Sequence, residues 1–194
     1  VDLLHVLGTT FPWIAFLALL LTVAMLARNL RSVILPVKAI LLDLISLVVT
    51  YGIVATVFSN DHLSSLLGVY RLHSIEAWAL LFLYLLLFGI SMDYEVFILS
   101  RIKEAKDAGA SNNDSIIEGV SQTGVVVTSA AIIFMGAVSG LAMGHFAGLQ
   151  EIGIGLLGGV LIDATVVRGL LLPSAMILLG ELNWWLPKRF QRKS

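Results

Sequence analysis

No cysteine occurs in the 194 residues, so the chain has neither a disulfide framework nor a thiolate metal site, and its redox compartment leaves no mark. Charge is scarce: Asp, Glu, Lys and Arg make up 13% of the chain, against roughly 25% in an ordinary soluble domain. There is no G-x-S-x-G, no H-E-x-x-H and no Walker loop. His5, His62, His73 and His145 are scattered rather than set at ligand spacing, so the sequence offers no catalytic residues and no metal site. The net charge of −1 says little about partners, because the signal lies in where the charges fall; no nucleic-acid partner is expected. No Met precedes Val1-Asp2 and no cleavable signal precedes the first apolar run. The start is therefore expected to be that of a piece cut from a longer protein.

What is present is apolar. Hydrophobic residues make up 58% and the mean hydropathy is +0.96, more apolar surface than one soluble core of this length hides. A spanning helix needs about 20 mainly apolar residues. Five segments qualify, at roughly 11–28, 36–58, 74–101, 118–146 and 148–180, the last with a kink or end at Pro173. The expectation is an all-α integral membrane bundle of five spans forming one domain over 1–194.

Basic residues set the orientation. Arg28, Arg31, Lys38, Arg101, Lys103, Lys106, Lys188, Arg189, Arg192 and Lys193 fall on one side of a five-span path. That side is predicted to be cytoplasmic, with the N-terminus external and the C-terminus inside. Trp184-Trp185 before the basic tail reads as an interfacial anchor. The stretch 103–115 reads as a polar cytoplasmic loop, with Asn113 or Asp114 capping the next helix.

Residues 89–101, GISMDYEVFILSR, place Asp93 and Tyr94 deep in the third span. A carboxylate at that depth needs a partner or a proton, and such residues mark ion or proton pathways. Burial favours the protonated form, so Asp93 can load on one side and release to the other. The tyrosine hydroxyl can bond the carboxylate in either state. Gly89, one turn earlier, leaves room for a water or a close helix. The competing reading is a structural carboxylate bonded to Ser or Thr.

Asp43, Asp163 and Arg168 read as intramembrane or boundary charges that orient and pack. Asp163 and Arg168 are five apart, a poor α-helical pair, and Arg168 is expected to snorkel to the cytoplasmic edge. Glu95 is expected nearer cytoplasmic water. Gly136, Gly140 and Gly144, with Gly155 and Gly159, have the small-xxx-small spacing of close helix packing.

GISMDYEVFILSRIKEA, then SQTGVVVTSAAIIF, then IGIGLLGGVLIDATVVRGLLLPSAMILLGELNWWLP together resemble the C-terminal membrane half of an MMPL-type transporter of the resistance–nodulation–division superfamily. The resemblance covers nearly the whole chain and matches the last five spans of that half. It implies a multi-pass protein of the bacterial inner membrane that exports lipids or other hydrophobic compounds, driven by the proton-motive force. Protons are then the coupling ion, and no cofactor is implied. The family's GxxxDY falls on Gly89, Asp93 and Tyr94, and its Asp–Tyr pair crosses to an equivalent pair in an N-terminal half. That half, the external domains, membrane lipids and the hydrophobic substrate are the implied partners. Thr123, Thr128 and Ser129 match positions that supply hydroxyls to the relay in related exporters. Two alternatives stand beside this reading: a non-transporting lipid- or sterol-sensing scaffold bundle, and a homo-oligomer that rebuilds two halves from copies of one chain.

Overall fold

The computed structural model describes residues 2–72 and 74–185, with side chains described at Thr9, Trp13, Phe16 and Leu17 and from Leu19 onward. His5, His73, Lys188, Arg189, Arg192 and Lys193 lie outside the described side chains. Helices α1 (Asp2–Leu30), α2 (Ile34–Ser59), α4 (Ala77–Asp107) and α5 (Asn112–Ala142) are long, and α3 (Asp61–Leu67) is a short connector. The last long helix is composite. α6 (Ala147–Ile162) passes into a π-helical stretch (Asp163–Leu171), then α7 (Leu172–Leu179), and ends in a 3₁₀ turn (Gly180–Trp184). No strand occurs among the described residues.

Four of these, α2, α4, α5 and the composite Ala147–Trp184, are long and apolar enough to cross a membrane. α1 is 29 residues long, and its described apolar stretch is Leu19–Leu30. α4 packs on α5, α5 on α6, and α6 returns against both α2 and α4. The interior divides into two apolar clusters. One surrounds Leu99, Ile102, Ile116 and Met176; the other surrounds Phe58, Leu83, Ile152 and Leu156.

The polar loop expected over 103–115 shrinks to four residues between α4 and α5. Lys103, Glu104, Ala105 and Lys106 are good helix formers and carry α4 on to Asp107; Gly109, at φ +100°, makes the turn. The cap of α5 also differs from expectation. Ser111, in extended conformation, accepts from the Asp114 amide at 3.2 Å and donates to the Asp114 carboxylate at 2.6 Å. The Ser111 hydroxyl thereby satisfies the third amide of the first turn, as an N-cap serine does.

Close approach of helices falls on the expected Gly155 and Gly159 and also on Gly119 and Gly153, but not on the expected α5 stripe. A Cβ at Gly119 would run into the Ile102 side chain and backbone, and one at Gly153 into the Ala142 backbone. At Gly155 it would meet Leu83 at 2.7 Å, and at Gly159 the Thr50 hydroxyl at 2.7 Å. At Gly136 and Gly140 nothing lies within 4 Å, and Gly144 falls beyond the end of α5. The packing role expected of the α5 stripe is thus not played within this chain; its glycines look outward.

One end of the bundle is tied by its C-terminal segment. The Ser32 hydroxyl donates to the Asn183 carbonyl, and the Val33 amide to the Trp185 carbonyl at 3.2 Å. Trp184 Nε1 donates to Asn112 Oδ1 at 3.1 Å, and its ring lies under the ammonium groups of Lys103 and Lys106. The opposite end is tied by acids and amides. Glu151 accepts from the Glu76 amide at 3.1 Å, and Gln150 accepts from the Tyr70 amide at 2.9 Å.

Candidate functional site: an ion network between α2, α4 and the π-helical stretch

Between the two apolar clusters lies a group of charges. Asp43 comes from α2, Ser91 and Glu95 from α4, and Asp163 and Arg168 from the π-helical stretch; all are buried, and Lys38 of α2 is buried nearby. Ser91 and Glu95 are four apart, so they share the inner face of α4.

The local winding explains the partnership of Asp163 and Arg168. In an α-helix a spacing of five leaves two residues about 140° apart. Here the stretch Asp163–Leu171 is π-wound, with the Leu172 amide reaching the Val167 carbonyl five residues back. That pitch stacks Asp163 and Arg168, and Arg168 Nε donates to Asp163 Oδ2 at 2.8 Å. Pro173 follows at once; it lacks an amide hydrogen and its ring crowds the carbonyl four residues earlier, both unfavourable to α pitch. Wide turns of this kind occur often at functional sites.

Arg168 does not snorkel. Its side chain is 3% exposed. Nη2 donates to the Ser91 carbonyl and to the Ser91 hydroxyl at 2.6 Å, and lies 3.8 Å from Asp43 Oδ1. The Ser91 hydroxyl also touches Asp43 Oδ1, and stands 3.1 Å from Asp163 Oδ1. Asp43 is therefore central rather than a shallow boundary charge. Glu95, expected near water, is 2% exposed. Lys38, counted with the loop charges, sits in the second turn of α2 and interacts electrostatically with Glu95. A buried charge without a partner is expensive, so these acids and bases converge instead of facing lipid. A cavity of about 10 Å³ beside Asp43, Tyr84, Phe88 and Ser91 holds no more than one water molecule.

Asp93 lies elsewhere. It is two residues from Ser91, about 200° around α4, and is exposed on the outer face of this chain. Tyr94 is half-buried and its ring lies 5.9 Å from the Arg168 guanidinium. Gly89 borders open space. Thr123 is buried, but its hydroxyl donates to the Gly119 carbonyl of its own helix at 2.7 Å; Thr128 and Ser129 are exposed. None of these three hydroxyls joins the ion network among the described residues. Sequence reading missed Ser91, whose signal is its spacing of four from Glu95. It also missed the meaning of the five-residue gap between Asp163 and Arg168, which only a wide helix turns into a contact.

Long apolar helices around a buried ion network define a multi-pass membrane protein. The MMPL family model matches residues 2–194, and the chain belongs to the MMPL family, as a multi-pass segment of the bacterial inner membrane. It is 36% identical over 192 residues to a membrane protein of Streptomyces coelicolor, covering 99% of this chain and 27% of that protein. It is 34% identical over 191 residues to the trehalose monomycolate exporter MmpL3 of Mycobacterium tuberculosis, covering 98% of this chain and 20% of the exporter. With the mycolic acid-containing lipids exporter MmpL11 of Mycolicibacterium smegmatis it shares 33% identity over 181 residues, covering 93% of this chain and 19% of that protein. The chain thus spans between 19% and 27% of these curated relatives.

Proposed function

We propose that this chain is the membrane-embedded part of a secondary transporter that uses the proton-motive force to export lipids or other hydrophobic compounds, with Asp93 and Tyr94 in its proton relay. One observation carries the reading. Adjacent residues of α4 face opposite environments, Asp93 outward from this chain and Tyr94 against Arg168 of the buried network. A proton arriving at Asp93 changes a charge on the same rigid helix that holds Ser91 and Glu95 in the interior. The gain or loss of that charge is the kind of local electrostatic event that biases a two-state packing. Membership of the MMPL family and the exporter names of two relatives support a transport role. The proposed orientation has the N-terminus external and the end bearing Trp184 cytoplasmic; the proposed partners are an N-terminal half and external domains.

The test is Asp93→Asn in the full-length protein carrying this chain, reconstituted in liposomes with an imposed pH gradient. Proton flux and gradient-driven lipid movement are both expected to be lost. Gradient-driven export retained by the variant overturns the assignment of Asp93. Absence of proton flux in the unaltered protein favours a scaffold or sensing bundle instead.

A further inference from the structure

Hydrogen atoms at Ser91 can be counted. A serine hydroxyl has one proton to donate and two lone pairs to accept with. Ser91 Oγ receives Arg168 Nη2 at 2.6 Å and faces a carboxylate oxygen on each of two helices, Asp43 Oδ1 and Asp163 Oδ1. One hydroxyl hydrogen serves only one of those oxygens. If both acids were ionised, the other would stand against the oxygen of Ser91 with no hydrogen between them. A proton on one carboxyl completes the set: that acid donates to Ser91, Ser91 donates to the other acid, and Arg168 fills the remaining lone pair.

Charge also calls for one proton, without saying which acid holds it; the hydrogen count at Ser91 is what places it on the Asp43–Asp163 pair rather than on Glu95. The buried network holds three carboxyls, Asp43, Glu95 and Asp163, against two cations, Lys38 and Arg168. One added proton makes it neutral, and a buried network is far less costly neutral than charged. The other titratable groups facing it, Tyr84 and Tyr94 of α4, are phenols and supply no further cation. Paired carboxyls sharing one proton are an established arrangement where two acids cannot both ionise.

We infer that Asp43 and Asp163 hold one proton between them through the Ser91 hydroxyl, which makes Ser91 a proton-positioning residue and Asp43 a second proton store distinct from Asp93. At rest the proton is on Asp43. Asp163 has the direct 2.8 Å pair with Arg168 Nε, whereas Asp43 lies 3.8 Å from the guanidinium and its Oδ2 has no hydrogen-bond partner among the described residues. Transfer is a concerted double hop. The O–H bond of Asp43 breaks as its proton bonds to Ser91 Oγ, and the original Ser91 O–H bond breaks as that proton bonds to Asp163 Oδ1. One proton moves from α2 to the π-helical stretch and no other charge changes. The use of this proton in transport rests on the function proposed above; its presence does not.

Infrared difference spectroscopy on the full-length protein in lipid nanodiscs reads the proton directly as the C=O stretch of a carboxylic acid. A band from one protonated carboxyl is expected. Asp43→Asn and Asp163→Asn should each remove it, because either leaves one acid for Arg168 and no need of the extra proton. Ser91→Ala should move it to the frequency of an acid without a hydrogen bond, and Ser91→Thr, which keeps the hydroxyl, should restore it. Asp93→Asn should leave it in place. Circular dichroism confirms that each variant is folded. A band that survives Asp43→Asn, or disappears instead in Glu95→Gln, overturns the inference. So does the absence of any such band, which leaves the Asp93 export test untouched; failure of the export test likewise leaves the band untouched.

Discussion

Arg168 satisfies two helices with one planar group. Nε meets Asp163 of its own helix while Nη2 meets the carbonyl and hydroxyl of Ser91 on α4. Such a fork cannot be reproduced by a lysine, whose charge is a single point on a flexible stem. Removing one partner of a buried ion pair costs about 3–5 kcal/mol. Arg168→Ala should therefore lower stability by about that amount, and Arg168→Lys should recover little of it, as read by thermal unfolding in detergent. Asp93→Asn, on the outer face of this chain and outside the buried network, should cost less stability than Arg168→Ala while abolishing export. Activity and stability thus separate on two charged residues of the same bundle. The residue types were legible in the sequence, since charges inside apolar runs stand out. Their facing was not. Hydropathy gives depth along a helix, and Asp93 drew attention by depth, whereas Asp43, Glu95 and Asp163 gain their partners only when three helices are brought together.

At the level of elements, the spans were legible because lipid demands long apolar runs, and α2, α4, α5 and the composite helix stand where such runs lie. Boundaries were less so: α4 runs six residues past the expected Arg101, because its continuation through Lys103 and Lys106 is helix-forming although polar. The glycine pattern was legible as a motif and only in part as a map: Gly155 and Gly159 meet neighbouring helices, whereas Gly136 and Gly140 do not. Spacing marks a smooth helix face but says nothing of what lies against it. Gly153→Ala should force α6 away from the Ala142 backbone and destabilise by about 1–3 kcal/mol. Gly136→Ala meets open space and should be neutral or mildly stabilising, since alanine is the better helix former by about 1 kcal/mol. Unfolding of the two variants side by side checks the contrast.

At the scale of the whole molecule, the ends of α1 and α4, the start of α5 and the C-terminal turn gather at one end of the bundle, with Arg28, Arg31, Lys103 and Lys106. The other end carries Glu76 and Glu151 and the pair Arg71–Asp61 at 2.7 Å. The positive-inside bias then leads to an orientation test: a fluorescent protein that matures only in the cytoplasm, fused after Ser194, should fluoresce, and a periplasmic alkaline phosphatase in its place should be inactive. The composite helix adds a consequence of its own. Its wide turns stand between Asp163 and the clasp of Asn183, Trp184 and Trp185 on Ser32, Val33 and Asn112. Rewinding that stretch to ordinary pitch would alter the phase of everything downstream, like slipping one tooth on a gear. Arg168 would leave Asp163 and the tryptophan clasp would lose its alignment in the same movement. A rewinding of this stretch would therefore move the buried charge pair and the seal at the basic end together.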